Sequence, residues 1–167
     1  MVDIVAIQSI DVDYYAGSIT PVDVLQNWLE TFPEGFWIAE EAGKPVAYLF
    51  IELLEKFMAV DFIHDARYVH RSDGRYMNIS GIGVSNAFRN TNVCKRLLEH
   101  AENFARKHSC KQILFIIGVE AGIGNHDIYE RELAIALGFT KKQNVPKWKV
   151  GEDFYVSDHW IWVKELV

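Results

Sequence analysis

The segment from Ile82 to Lys95, Ile-Gly-Val-Ser-Asn-Ala-Phe-Arg-Asn-Thr-Asn-Val-Cys-Lys, could do chemistry with its backbone. An apolar strand pattern ends at Val84, a polar stretch turns, and an amphipathic helical pattern begins. The first N–H groups of such a helix lack intrahelical partners and point out of its positive end, so an anion, above all a phosphate or pyrophosphate, is the natural ligand. Arg89 and Lys95 add two cations beside those amides. A phosphorylated cofactor held by backbone, without acidic side chains and a metal, is the expectation.

The elements that must position this loop are legible on both sides. Thr20-Pro21-Val22-Asp23 predicts a helix start, with Thr20 as N-cap and Pro21 at the first helical position. Phe36 to Glu40 and Val46 to Leu54 read as two strands of a hairpin around Gly43. Residues 55 to 76 show no period and read as a loop near a site or a short strand extension. Met77 to Val84 returns to strand character, where Gly81 and Gly83 call for a bulge or a close ligand. In the next helix Leu97, Leu98, Ala101, Phe104 and Ala105 share one face. Ile113 to Val119 is a continuous apolar run, as in a central strand covered on both faces. Strand, helix, strand in this order implies a parallel pair. Residues 126 to 137 form a further helix stopped by Gly138, and Phe139, Lys147 to Val150 and Phe154 to Val163 read as antiparallel elements.

Totals bound the function. With 167 residues, half of them apolar, the chain suits one domain, residues 1–167, with a substantial core. A net charge of −6 without like-charge runs argues against a nucleic-acid partner and agrees with a cationic substrate. Cys94 and Cys110 are too few for a disulfide framework or a zinc site. Met1 to Ile10 lacks the pattern of a secretory signal, and no run approaches the roughly 18 apolar residues of a membrane span. A cytoplasmic protein without a membrane partner is expected, with a homodimer left open.

The order of elements, the loop after Val84 and the helix ending Ala136-Leu137-Gly138-Phe139 resemble the GNAT superfamily of acyl-CoA-dependent N-acetyltransferases over roughly residues 36 to 165. The resemblance implies an α/β (α+β) fold with a mixed, mostly antiparallel sheet, a central parallel pair splayed at the cofactor site, and flanking helices. It implies acetyl-CoA as co-substrate, no metal, and a primary amine, small molecule or peptide, as acceptor. The family loop reads Arg/Gln-x-x-Gly-x-Gly/Ala. Here Arg89, Asn90, Thr91, Asn92, Val93, Cys94 and Lys95 occupy it, with Asn92 at the first Gly and Cys94 at the Gly/Ala. Asn tolerates a left-handed backbone, so Asn92 could keep the turn. Ile82, Gly83 and Val84 are implied as pantetheine contacts, and Asn125, in the loop after the second parallel strand, as a further one.

Direct acetyl transfer needs a route for the amine proton and a donor for the departing thiolate. Candidate bases are Glu52, late in a strand, His64 with Asp65, and Glu120; imidazole has the most suitable ordinary pKa, which puts His64 first. The family's usual acid, a Tyr four residues before the Gly of the Gly-Phe ending, is replaced here by Ala134, and Tyr129 in the same helix is the candidate donor. Cys94 at a helix start invites a nucleophile reading, which direct transfer does not need. The competing class is a catalytically silent acyl-CoA-binding sensor or interaction domain, favoured by Ala134 and the altered glycines.

Overall fold

The hairpin forms as expected: β1 (Phe36–Glu41) and β2 (Lys44–Leu54) pair antiparallel, and the chain turns through Ala42 at φ 49° and Gly43 at φ 76°. The computed structural model describes residues 4–15, 20–119, 126–148 and 158–166. Around the hairpin lie α1 (Ile4–Tyr14), α2 (Val22–Thr31), a four-residue α3 (Ala66–Val69), β3 (Tyr76–Val84), α4 (Val93–Lys107), β4 (Gln112–Gly118), α5 (His126–Ala136), β5 (Thr140–Val145) and β6 (His159–Glu165). The sheet order is β1-β2-β3-β4-β6-β5; β3 and β4 are parallel and every other pair is antiparallel.

One sheet face carries the larger core. Ile7, Ile10 and Tyr14 of α1, Leu25 and Trp28 of α2, and Leu97, Leu98, Ala101 and Ala105 of α4 pack there against Leu53, Met77, Ile113 and Phe115. Trp28 stacks on Phe50 with centroids 4.9 Å apart, and burying a side chain of that size contributes about 3 kcal/mol. The smaller core, Leu54, Val60, Leu114, Ile116, Ile161 and Val163, is covered by Phe57, Ala59 and Trp148. The aperiodic segment after β2 is therefore a covering strap, and Trp148 fastens it by donating its indole N–H to the Val60 carbonyl at 2.9 Å.

Several expectations are corrected. Helix α2 begins at Val22 with Pro21 at the cap position and no side-chain capping bond; the Thr20 amide instead donates to Asp11 at 2.9 Å. Helix α1 carries no clear period in the sequence, because Val5 and Val12 are exposed while Asp11 is buried against Tyr48. The strand expected at Lys147 to Val150 lies earlier, at β5, an edge strand whose first five residues are exposed and so show no apolar alternation. Residues 149 and 150 lie outside the described residues, as do 154–157 of the last expected strand. Gly83 answers to packing: a Cβ there would stand 2.6 Å from the Tyr48 ring. Gly138, at φ 83°, ends α5 as expected. Among the described residues no helix is long and apolar enough to cross a membrane.

Candidate active site

The parallel pair is short. Tyr76–Ile79 pair with Gln112–Phe115, and the pairing stops there. At the next residue the β2–β3 register slips: Phe50 faces Gly81 and Ile51 faces Ile79, which leaves Ser80 as the extra residue of a bulge. A bulge bends its strand and increases the local twist, so β3 leaves β4 where Ser80 begins. Between them lies a cavity of about 60 Å³, lined by Ser80 and Ile82 of β3, Phe115 and Ile116 of β4, and Glu130 of α5, with Tyr15 and Phe62 also on its wall.

The β3 wall is an ordered polar network. Glu52 and Asn78 face each other across β2 and β3, and Glu52 is fully buried. Its Oε2 accepts from the Ser80 hydroxyl at 2.6 Å and from His64 Nε2 at 2.7 Å. Asn78 Nδ2 donates to Ser80 Oγ at 2.8 Å, which fixes the hydroxyl's direction. His64 Nδ1 faces the carbonyls of Asp61 at 2.7 Å and Phe62 at 3.3 Å. With acceptors before both nitrogens, the arrangement favours a ring that carries both N–H groups. Burial works against that proton, but the bond to Glu52 and its charge outweigh it, and the His64 pKa is raised. The Trp28 indole donates to the His64 carbonyl at 3.3 Å. Asn27 braces the following turn, donating to Asp65 at 2.9 Å and accepting from the Ala66 amide at 2.8 Å. Asp65 is spent on Asn27 and Arg67 rather than on His64. Among the described residues, two buried acceptors here, Glu52 Oε1 and Asn78 Oδ1, have no hydrogen-bond partner.

The α5 wall has another character. Asp127, Glu130 and Ala134 face inward at 3, 5 and 0% exposure, while Ile128 and Ile135 face outward at 39 and 60%. Amphipathic order is inverted on this helix. The Gly118 amide donates to Asp127 at 3.2 Å, and the Tyr14 hydroxyl donates to Glu130 Oε1 at 3.0 Å. Burial, aided by the neighbouring Asp127 charge and opposed by the Tyr14 bond, raises the Glu130 pKa well above the usual carboxylate range. Tyr129 is half-buried, with its hydroxyl against the Cys94 thiol. Burial pushes Cys94 up to about 11, so it is a neutral thiol turned into the core.

The loop before α4 is built around Arg89. Its Nη2 donates to the Asp13 and Tyr14 carbonyls, both at 2.9 Å, and its guanidinium stands 5.1 Å from the Tyr14 ring centroid. A cation thus closes the C-terminal end of α1. Asn92 has φ −82° and ψ 14°, so the turn needs neither glycine nor a left-handed residue. Its side chain makes no capping bond, which leaves the opening of a fifteen-residue helix to other acceptors. Asn90, Thr91, Asn92 and Lys95 are exposed there; Val93 and Cys94 are buried. On β3 the Ile82 carbonyl accepts from the Tyr15 hydroxyl at 2.7 Å, Gly83 lies under Tyr48, and Val84 is buried. Asn125 and Glu120 lie outside the described residues.

Glu52 and His64 are therefore brought together, with Ser80 between Glu52 and the cavity; Tyr129 is directed elsewhere. Ser80, Asn78 and Glu130 were missed by sequence reasoning. The signal was there: Asn-x-Ser in an otherwise apolar strand, and two acids on the helix face that ends in Ala134. Among the described residues no group of three His, Cys, Asp or Glu side chains forms a metal site.

Comparisons with known proteins agree with this architecture. No curated protein matches the chain in sequence. Among solved structures, the GphF GNAT-like decarboxylase in complex with isobutyryl-CoA superposes with TM-score 0.79 at 14% identity, covering 99% of this chain and 95% of that one. The NatB acetyltransferase complex bound to CoA and MES gives 0.72 at 16% identity, with 98% and 94% covered. The ribosomal-protein-S18-alanine N-acetyltransferase from Escherichia coli gives 0.64 at 14%, with 98% and 88% covered. At such identities the likeness is one of fold. The sequence profile of the acetyltransferase (GNAT) family matches residues 4–134, most of the chain. On that match, and on a sheet whose parallel strands part at a bulge, the chain belongs to the GNAT acetyltransferase family.

Proposed function

We propose that this chain is an N-acetyltransferase that moves the acetyl group of acetyl-CoA to a primary amine by direct attack in the cavity between β3 and β4. The observation that carries the proposal is the Ser80–Glu52–His64 network, which reaches that cavity through Ser80. The attacking nitrogen must lose a proton as its bond to the carbonyl carbon forms. Ser80 Oγ receives one hydrogen bond from Asn78 and gives one to Glu52, which leaves a lone pair for the amine N–H. The proton then passes through Ser80 to Glu52, while His64, bonded to the same carboxylate oxygen as Ser80, holds Glu52 in place. A volume near 60 Å³ suits a short acyl group. The cofactor's pyrophosphate fits the start of α4, where the Asn92 side chain makes no capping bond and only the Val93 amide meets a side chain, Thr91 Oγ at 3.4 Å, with Lys95 beside it and Arg89 fixing the loop, and its pantetheine arm fits along Ile82, Gly83 and Val84, where Tyr15 now bonds the Ile82 carbonyl.

The alternative is a silent acyl-CoA-binding sensor, favoured by the bare methyl of Ala134 at the family's acid position. Thiol release from acetyl-CoA across polyamines, aminoglycosides, amino acids and peptide N-termini separates the two. The enzyme releases CoA only when its amine is added. Micromolar acetyl-CoA binding without amine-dependent release would select the sensor.

A further inference from the structure

We propose that Glu130 is the proton donor to the departing CoA thiolate, an inference that rests on the acetyl-transfer proposal. Three observations carry it. Glu130 lines the cavity between the parting strands. It is 5% exposed on a helix that turns Ile128 and Ile135 to solvent, a costly arrangement for which packing alone gives no reason. Its Oε1 is occupied as an acceptor by the Tyr14 hydroxyl at 3.0 Å, so a proton on this carboxyl belongs on Oε2.

The surroundings favour that proton. Among the described residues, the titratable groups around Glu130 are Tyr14 of α1 and Tyr15 just after it, Cys94 of α4, and His126, Asp127 and Tyr129 of α5. Asp127 opposes ionisation by charge, and burial opposes it more strongly. Tyr129, next in the chain, has its hydroxyl against Cys94 instead. The step balances as follows. The amine nitrogen bonds the carbonyl carbon and passes its proton through Ser80 to Glu52. The C–S bond breaks with its electron pair on sulfur, and sulfur takes the Glu130 proton to leave as thiol. Glu52 then releases a proton to water and Glu130 regains one, so acetyl-CoA and amine give amide and CoA.

Glu130→Gln keeps an oxygen for Tyr14 but cannot donate a proton with comparable acidity. In the full chain we expect kcat for CoA release to fall by about 100-fold with KM for acetyl-CoA within about twofold. The loss of wild-type activity as pH rises through the elevated Glu130 pKa should be absent from the variant, and Tyr129→Phe should keep both turnover and that limb. Unchanged kcat in Glu130→Gln overturns the proposal, as does a decline displaced only by Tyr129→Phe. A second readout needs no acceptor: difference infrared spectroscopy at neutral pH. We expect a protonated-carboxyl band that Glu130→Gln removes and that shifts when acetyl-CoA is added; no such band, or one that acetyl-CoA leaves unmoved, overturns it. Absence of amine-dependent release by the wild-type protein, with acetyl-CoA binding seen by calorimetry, would instead remove the transfer proposal while the infrared result still judges Glu130.

Discussion

Two buried glutamates serve one cavity, Glu130 on its lining and Glu52 behind Ser80, and their surroundings differ. Glu52, on β2, has the His64 imidazole at 2.7 Å and a serine hydroxyl at 2.6 Å. Glu130, on α5, has a phenol at 3.0 Å and a neighbouring acid that disfavours its charge. The same side chain is thus given an imidazole of raised pKa in one place and an acidic neighbour in the other. Environments that differ in this way divide acid and base roles between like groups. The difference also follows from the fold. The strap after β2 brings His64 onto Glu52, whereas α5 meets α1 through tyrosines.

The comparison can be broken at either wall. The largest effect is expected from Glu52→Gln, which removes the proton acceptor. Amine-dependent thiol release should fall by about 100- to 10,000-fold, with acetyl-CoA affinity by calorimetry nearly unchanged. Retained turnover would move the base elsewhere. Ser80→Ala, which interrupts the relay but leaves a path for water, should cost roughly tenfold in kcat, less than the loss of a full general base; a loss as large as that of Glu52→Gln would make Ser80 indispensable. Arg89→Ala removes two bonds to the end of α1. At about 1 kcal/mol each it should lower the thermal midpoint and weaken acetyl-CoA binding together, whereas weaker binding at unchanged stability would put Arg89 on the ligand alone.

The smallest effect concerns stability and pH. The folded pKa of His64 is raised above its unfolded value near 6.5. Its contribution is therefore fully present below about pH 6.5 and lost as pH rises through the folded value. Denaturant titrations should show this decline, and His64→Gln should flatten it. A decline of equal size in the variant would assign it to another group.

Much of the frame was legible because burial writes itself into apolar patterns. Ile113 to Val119 announced a central strand, Leu97 to Ala105 a packed helix face, and the Val84 junction the start of α4. What stayed hidden depended on tertiary contacts. Helix α1 escaped because Asp11 is buried by Tyr48 and the Thr20 amide, and β5 because an exposed edge strand needs no alternation. Glu52 and His64 were separately visible as titratable groups, but their pairing needed the strap to fold back over the sheet. Ser80 enters only through a one-residue register slip, which sequence period does not record. Asn92 is expected to keep a left-handed turn; with φ −82° it is instead an ordinary helix entry.

The most direct test is amine-dependent thiol release from acetyl-CoA, measured for the wild-type chain and Glu52→Gln at equal acetyl-CoA occupancy. The predicted result is release by the wild-type chain only when amine is present, and its loss in the variant despite bound acetyl-CoA. Equal release by both proteins, or none by the wild-type chain with any amine, would contradict transfer through this cavity.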